Sequence, residues 1–299
     1  MMLVKGVLPM SESKGIYWLS SYPKSGNTWF RIVLARLLNT NPDLSHINDI
    51  DDILGSPIAA SRTWMNKMLG FESSLLTEEE TEHLRPAAYT WHAQNLQQPT
   101  YIKIHDAYTY LENNKPLIPI EGCLGAIYFV RNPLDVAISL AHHAKCPIDW
   151  SIHMMGDKQF AIPFKVNKSK QLHQRMLTWS SHVQSWVTNQ PLNLLVLRYE
   201  DMLANPLESF TKAIHFLKLS KSQTEIEQAI AETSFNKLQQ FEKHFGFKEK
   251  PAIEGTFFRK GIAGDWKNTL NQEQINKIID DHGDVMKSFG YLDEQNRPV

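Results

Sequence analysis

Residues 20–29, SSYPKSGNTW, place a lysine, hydroxyl groups, a glycine and an amide together between an apolar run and a helical pattern. Backbone N–H groups at a helix N-terminus attract anions, since they point outward and the helix dipole adds positive charge. The loop differs from the common G-x-x-x-x-G-K-[ST], because Lys24 precedes Gly26 and no late lysine is followed by a hydroxyl for magnesium. The spacing predicts an anion site without the usual metal-binding pattern.

A second strand-to-helix segment, FVRNPLDVAISLAHH at 129–143, offers an arginine at the end of the strand. Pro133 is suited to the first turn of the following helix. The forked guanidinium of Arg131 matches phosphate geometry, and Ser139 follows one to two turns later. The alternative is that Arg131 pairs with Asp135 at the start of the helix.

A third basic segment, FRKGIAGDWKN at 258–268, sets Arg259 and Lys260 before a loop that contains Gly261. The formal net charge of the chain is only -1, so these adjacent cations form a local anion site within a neutral protein. Because of the glycines and Trp266, the segment does not read as an ordinary solvated run of charge.

YIKIHDAY at 101–108 offers a base beside a cation. Alternation along a strand puts Lys103 and His105 on the same side, and an ordinary histidine can be neutral and basic at cellular pH. Taken alone, a histidine at a strand end is more often structural. Further along the chain, His142, His143 and Cys146 have a spacing that fits helix packing better than a metal cluster, and no metal is expected.

These motifs together resemble the sulfotransferases that use 3′-phosphoadenosine-5′-phosphosulfate (PAPS). Their 5′-phosphosulfate loop reads Y-P-K-S-G-T-T-W, against Y-P-K-S-G-N-T-W at 22–29, and their C-terminal R-K-G-x-x-G-x-W-K matches residues 259–267. K-T-H has the spacing of Lys103 and His105, and the Y-E-D-M segment matches 199–202. With gaps, the resemblance runs from about residue 15 to 270. Asn27 departs from the commonest loop but keeps a donor.

The resemblance implies a role for each matched residue. His105 is the general base, and Lys24 and Lys103 stabilise the transferring sulfonate and the leaving group. The residues implied to bind PAPS, or the product adenosine 3′,5′-bisphosphate (PAP), are Lys24, Ser25, Gly26, Asn27, Thr28 and Trp29 for the 5′ end and adenine, Arg131, Ser139, Arg259, Lys260 and Gly261 for the 3′-phosphate, and Tyr199, Thr233 and Phe235 for the adenine. Core packing remains an equal alternative for Tyr199 and Phe235.

The implied function is transfer of a sulfonate group to a hydroxyl or amine of a small or medium-sized acceptor by in-line displacement. Two alternatives stay open: a P-loop-type nucleotide kinase, which the missing G-K-[ST] disfavours, and a non-catalytic nucleotide-binding module, which Lys24, Lys103 and His105 disfavour. The dimer motif K-x-x-x-T-V-x-x-x-E of cytosolic members is replaced here by KNTLNQEQIN, so the oligomeric state is left open.

The composition is that of an ordinary globular protein, 42% hydrophobic and 21% charged over 299 residues. The near-neutral charge gives no reason to expect a nucleic-acid or membrane-surface partner. Cys123 and Cys146 form no disulfide framework, and the first residues lack an uninterrupted apolar stretch. We therefore expect a cytoplasmic protein with reduced thiols.

Four apolar runs, at 16–22, 100–105, 125–131 and 192–199, read as buried strands. Helical patterns at 28–38, 133–145, 171–188, 206–218 and 272–288 alternate with them, which predicts one α/β domain with a mostly parallel central sheet flanked by helices. This is also the P-loop-like fold of the sulfotransferases. We expect a tail at 1–14, the domain at 15–290 and a second tail at 291–299.

Residues 40–99, 146–170 and 240–260 read as irregular, and they carry most of the bulky apolar side chains that match no motif. Such side chains either line an acceptor pocket or pack beneath loops. They are Trp64, Met65, Met68, Phe71, Met154, Met155, Phe160, Phe241, Phe245 and Phe247. The sequence does not rank phenols, alcohols, amines and glycosides as acceptors.

Overall fold

A computed structural model describes residues 14–39, 47–163, 170–188, 190–250 and 255–299. Its strands are β1 Gly15–Ser21, β2 Pro99–Ile104, β3 Cys123–Val130, β4 Ala161–Ile162, β5 Gln174–Arg175 and β6 Leu194–Arg198. Strand β1 pairs in parallel with β2 on one side and with β3 on the other, and β3 pairs in parallel with β6. The predicted parallel sheet is confirmed. The short strands β4 and β5 pair antiparallel in a separate sheet.

The central sheet is buried on both faces because its alternating side chains enter two different core clusters. In β1, Trp18 lies in one cluster with Ile102 and Tyr128 of the neighbouring strands, whereas Leu19 lies in the other with Ile127. All seven residues of β1 are buried. A strand covered on both faces needs apolar residues at nearly every position, which is why these runs were readable in the sequence.

The helices cover both faces of the sheet, and most of those predicted begin and end close to the expected residues. They are α1 Asn27–Leu38, α2 Ile50–Leu54, α3 Arg62–Leu69, α4 Glu78–Asn95, α5 Pro133–Ala144, α6 Ile148–Gly156, α7 Trp179–Val187, α8 Tyr199–Ala204, α9 Pro206–Phe216, α10 Gln223–Glu232, α11 Phe235–Phe245 and α12 Gln272–Ser288. Short 3₁₀ helices lie at Ser73–Leu75 and Asp265–Asn268. Among the described ranges, no helix is both long and apolar enough to cross a membrane.

The predicted helix at 171–188 is wrong in its first half. Residues 174–175 form β5, and Leu177 has a left-handed φ of 57°, a conformation that a helix cannot continue through. The helix starts only after Thr178, whose side chain caps it by accepting a hydrogen bond from the backbone N–H of Ser181.

The interpretation of residues 40–99 as irregular is also wrong for the described part of that range, which contains α2, α3 and the 18-residue α4. Thr77 and Glu80 form a reciprocal capping box at the start of α4. Pro86 lies inside the helix and removes one backbone donor, and this breaker obscured the pattern. Helices α6 and α11 likewise correct the interpretation of 146–170 and 240–260, whose described residues are not wholly irregular.

The order of the strands opens a crevice at the carboxyl end of β1. The chain runs from β1 to β2 on one side, and β3 then lies on the other side of β1. At such a switch point the loops that follow the strands leave in opposite directions, and ligands bind between them. The loop that begins with Lys24 and the loop that begins with Arg131 therefore meet at one edge of the sheet.

A wholly buried ion pair fixes the chain just beyond β2. The guanidinium of Arg85 on α4 donates to both carboxylate oxygens of Asp106, at 3.0 and 2.6 Å, and its Nε donates to the hydroxyl of Tyr89 at 2.9 Å. The backbone carbonyl of Asp106 accepts a hydrogen bond from the indole of Trp186 at 2.9 Å. Since Asp106 follows His105, these contacts hold the end of the strand that carries the expected base.

Replacing Arg85 by methionine should lower the free energy of unfolding by roughly 3–5 kcal/mol, because it leaves the Asp106 carboxylate buried and unpaired. The matched control is Arg36→Met, which removes an ion pair with Glu232 at the surface and should cost at most about 1 kcal/mol. Urea unfolding of the two variants measures the difference. Similar small losses in both would contradict the role of the buried pair.

Candidate active site

A cavity of about 1100 Å³ lies at the carboxyl ends of β1, β2 and β3. Nearly all of the site residues expected from the sequence line this one space. They are Lys24, Gly26, Asn27, Thr28, Trp29, Lys103, His105, Arg131, Ser139, Tyr199, Phe235, Arg259, Lys260 and Gly261. Residues from six separate parts of the chain are thereby brought together.

The two expected residues outside that lining are Ser25 and Thr233. Ser25 lies in the loop after β1, and its buried hydroxyl has no hydrogen-bond partner within the described ranges. Thr233 lines a neighbouring cavity of about 560 Å³ between α1 and α11, and its hydroxyl donates to the carbonyl of Ala229 at 2.8 Å. Ser25 thus lies in the loop after β1 as expected, whereas Thr233 faces the neighbouring cavity.

The loop after β1 leaves the first N–H groups of α1 free of side-chain caps. Gly26, with φ of 97°, lies at the N-cap position. Because glycine has no side chain, the N-cap residue makes no capping hydrogen bond to the start of the helix. A Cβ on Gly26 would lie 2.7 Å from Cδ2 of Tyr199, so glycine is required by both its backbone conformation and the close approach. Uncapped N–H groups and the positive end of the helix dipole at this position are suited to an anion.

Asn27 turns inward instead of facing the cavity with its amide. Its Nδ2 donates to the carbonyl of Leu19 at 2.8 Å and to the hydroxyl of Ser21 at 3.4 Å. The donor that the sequence analysis counted for the ligand therefore ties the loop to β1. The backbone of Asn27 still lies in the first turn of α1.

Arg131 joins the loop after β1 to the C-terminal basic segment at 258–268. Its guanidinium donates to the carbonyl of Lys24 at 3.0 Å and to the carbonyl of Ile262 at 3.0 Å. It also stacks 4.3 Å from the ring centroid of Tyr199. Its buried Nε has no partner within the described ranges. The alternative pairing with Asp135 is not observed, because that carboxylate accepts from the backbone of residues 264 and 266.

The C-terminal basic segment at 258–268 lines the same cavity. Arg259 and Lys260 both pair with Asp265, at 2.8 and 2.5 Å. Gly261 has φ of 63°, and a Cβ there would lie 2.2 Å from the ring of Phe235. Asp265 was missed in the sequence, although its place in the same short loop made it the nearest available counter-charge.

His105 is held in one tautomer by its backbone surroundings. Its Nδ1 lies 2.7 Å from the carbonyl oxygen of Ser21, which can only accept, so this nitrogen carries the proton and Nε2 is left as the acceptor. Burial, and then the charge of Lys103, lower the pKa of His105 to about 3. The imidazole is therefore neutral, with Nε2 as its hydrogen-bond acceptor.

Lys24 lies in a strongly cationic environment. Its Nζ stands 4.4 Å from the centroid of the Phe257 ring. Burial, and then the neighbouring charges of Lys103 and Arg131, lower the pKa of Lys24 to about 8. An anionic ligand would relieve this repulsion.

Glu249 is a site residue that the sequence analysis missed. Its carboxylate accepts from the hydroxyl of Thr28 at 3.1 Å and from Nζ of Lys103 at 2.9 Å, and it pairs with the buried Arg31. In the sequence it lies in the polar run FKEK, which looks like a solvated loop. No local signal marks a contact between residues more than 200 positions apart.

The ten bulky apolar residues of the unmatched segments do not line this cavity. Trp64, Met155, Phe160 and Phe247 are buried in the two main cores, and Met65 lies in a third cluster. The packing alternative therefore holds for these five side chains, whereas Phe71 is exposed and Phe241 and Phe245 line the neighbouring cavity of about 560 Å³. The same segments do reach the cavity through other residues, among them Ile58, Ile162 and Phe257.

Comparison with known proteins gives one consistent family. The family model described as the sulfotransferase domain matches residues 16–290. Sulfotransferase 1A1 of Canis lupus familiaris is 25% identical over 278 residues, which cover 91% of this chain and 83% of that protein. Luciferin sulfotransferase of Photinus pyralis is 24% identical over 279 residues, covering 87% and 68%.

Among solved structures, retinol dehydratase in complex with androsterone and the inactive cofactor PAP superposes with a TM-score of 0.60. The match has 19% sequence identity and covers 94% of this chain and 83% of that one. It shows a shared fold. Because the sulfotransferase model spans residues 16–290, nearly the whole length described, the chain belongs to the sulfotransferase family.

Proposed function

We propose that this enzyme transfers the sulfonate group of PAPS to a hydroxyl or amine of a small or medium-sized acceptor, with His105 as the general base. The observation that carries the proposal is that the loop after β1, Arg131 and the segment of Arg259 and Lys260 surround one cavity with a neutral imidazole. Retinol dehydratase binds PAP in its solved structure, and we extend that ligand to this chain.

The residues present fit such a donor. The uncapped start of α1 and the unpartnered hydroxyl of Ser25 suit the 5′ end. The guanidinium of Arg131 suits the 3′-phosphate, together with Ser139, Arg259 and Lys260. Trp29, Tyr199 and Phe235 offer aromatic surface to the adenine at the cavity wall. When bound, PAPS would supply the sulfonate and a phosphate leaving group.

Each catalytic side chain has a distinct role in the proposed mechanism. Nε2 of His105 removes the proton from the acceptor as its oxygen or nitrogen attacks. Lys24 and Lys103 stabilise the negative charge that develops on the sulfonate and on the leaving phosphate. The fixed loops hold the two reacting groups in line, which lowers the entropic part of the barrier.

For the acceptor, we propose only a chemical class. Relatives are named for or solved with luciferin, retinol and androsterone. We extend from them only the expectation of a small-molecule acceptor. The absence of a metal requirement, the cytoplasmic location and the domain bounds remain predictions.

The first experiment is thermal unfolding of the full chain with PAP, with ADP and with ATP plus magnesium. PAP at about 100 times its dissociation constant should stabilise the protein by about 2.7 kcal/mol without any metal. ADP lacks a 3′-phosphate and should give a smaller shift at the same concentration. A shift seen only with ATP and magnesium would instead support the nucleotide kinase.

Replacing His105 by alanine should lower the transfer rate by about 10²- to 10⁴-fold, because a positioned general base contributes roughly that factor. The rate is measured as PAP released from PAPS, with the acceptor that a panel of phenols, alcohols and aryl amines identifies. The affinity for PAP should be retained. His153→Ala, an exposed histidine on α6, is the control. Unchanged turnover in His105→Ala would disprove the assigned base.

The affinity for PAP should fall as the pH rises above about 8, since the pKa of Lys24 is lowered to about 8. The protonated ammonium binds the anion, so its contribution is complete below that pKa and is lost above it, by about tenfold per pH unit for one proton. Lys24→Arg should remove this decline, because a guanidinium stays charged. Titration calorimetry from pH 6 to 10 measures both, and an identical decline in the variant would contradict the assignment.

A further inference from the structure

The carboxylate of Glu249 occupies hydrogen-bonding groups that the proposed function assigns to the ligand. The side chain is only 13% exposed. One oxygen, Oε2, accepts from Thr28 Oγ1 at 3.1 Å and from Lys103 Nζ at 2.9 Å. The other, Oε1, accepts from Arg31. We call Thr28 and Lys103 the 5′-anion seat, because both are assigned to the phosphosulfate end of the donor.

Glu249 is a permanent anion in this position. Burial would raise the pKa of its carboxyl group, but the charges and hydrogen bonds of Lys103 and Arg31 outweigh it and hold the pKa well below its usual range. The carboxylate therefore stays charged at every pH at which the protein is handled.

The carboxylate and a donor anion exclude each other at Thr28. A threonine hydroxyl has a single proton to donate, and it is used by Glu249. Two anions that share Lys103 at hydrogen-bond distance also repel one another, all the more in a partly buried site. A phosphate or sulfonate oxygen can enter the seat only as Oε2 leaves it.

Arg31 provides a place for the displaced carboxylate. It is 1% exposed, and it also pairs with Asp51. Its buried Nε has no hydrogen-bond partner within the described ranges. Glu249 can therefore keep its contact with this guanidinium while it releases Thr28 and Lys103, and the neighbouring Phe247 can remain in the core.

We propose that Glu249 is an internal competitor for the 5′-anion seat, which a ligand must displace in order to bind Thr28 and Lys103. The proposal rests on the proposed function for the identity of that ligand. It makes Glu249 a specificity residue, because a ligand with an anionic 5′ group meets the competition, whereas adenosine 3′-monophosphate, which lacks that group, does not.

The test compares Glu249→Gln with the unaltered full-length protein by titration calorimetry, using PAP and adenosine 3′-monophosphate as separate probes. If the open seat is a minor state of about a tenth of the population, removing the competing charge should tighten PAP binding by up to about tenfold. Binding of adenosine 3′-monophosphate should be unchanged.

Asp51→Asn is the matched control, because Asp51 also pairs with Arg31 and lines the cavity but does not contact Thr28 or Lys103. It should leave the affinity for PAP unchanged. Melting curves check that each variant is folded, and Glu249→Ala replaces the glutamine variant if that one is not.

The outcomes separate the inference from the function on which it rests. If the unaltered protein does not bind PAP, the proposed function fails. If it binds PAP but Glu249→Gln binds equally or more weakly, the competitor proposal is overturned, since Glu249 then supports the ligand-bound state. An equal gain for adenosine 3′-monophosphate or for Asp51→Asn also overturns it, because the effect would then be one of general charge.

Discussion

The site depends on holding several cations against one another in a protein whose net charge is -1. The cost of this arrangement is visible in Lys24, whose pKa is lowered to about 8 by burial and by the neighbouring cations. Two internal carboxylates offset the repulsion, Asp265 beside Arg259 and Lys260, and Glu249 beside Lys103. The anion site is thus built locally from paired charges, and the overall charge of the chain gives no hint of it.

The register of the parallel sheet places His105 beside these charges and sets the orientation of its ring. Ser20 lies opposite Ile104 in the pairing of β1 with β2, so Ser21 and His105 follow side by side where the strands end. That adjacency brings the Ser21 carbonyl to Nδ1 of His105 and sets which ring nitrogen is free. The buried Arg85–Asp106 pair fixes the next residue of the same chain segment. Backbone pairing therefore fixes which nitrogen of the imidazole can accept a hydrogen bond.

Local patterns predicted the parts of the fold and site that are determined locally. Continuous apolar runs indicate buried strands, and lysine, arginine and glycine next to strand ends indicate anion-binding loops. Helix α4 was not predicted, because Pro86 interrupts the pattern of a helix rich in charged residues. The place of Glu249 in the site was not predicted, because its ion pair with Arg31 joins residues 218 positions apart. No local spacing reveals such a contact. Asn27 and Thr233 show the converse limit, since a motif specifies a residue type and leaves the direction of its side chain to packing.

The cavity is also lined by residues outside the donor motifs. Ile58, Leu140 and Ile162 supply apolar surface, while Gln171, Gln174 and His143 supply hydrogen-bonding groups. Burial, and then Lys24 and Lys103, lower the pKa of His143 to about 3, so this imidazole acts as a neutral hydrogen-bonding group. Charged side chains outside the donor motifs also line the cavity, among them Lys170, Lys248 and Lys250. Under the proposed function, an acceptor is selected by shape, by charge and by hydrogen bonds, which cost affinity when left unmade in a buried site.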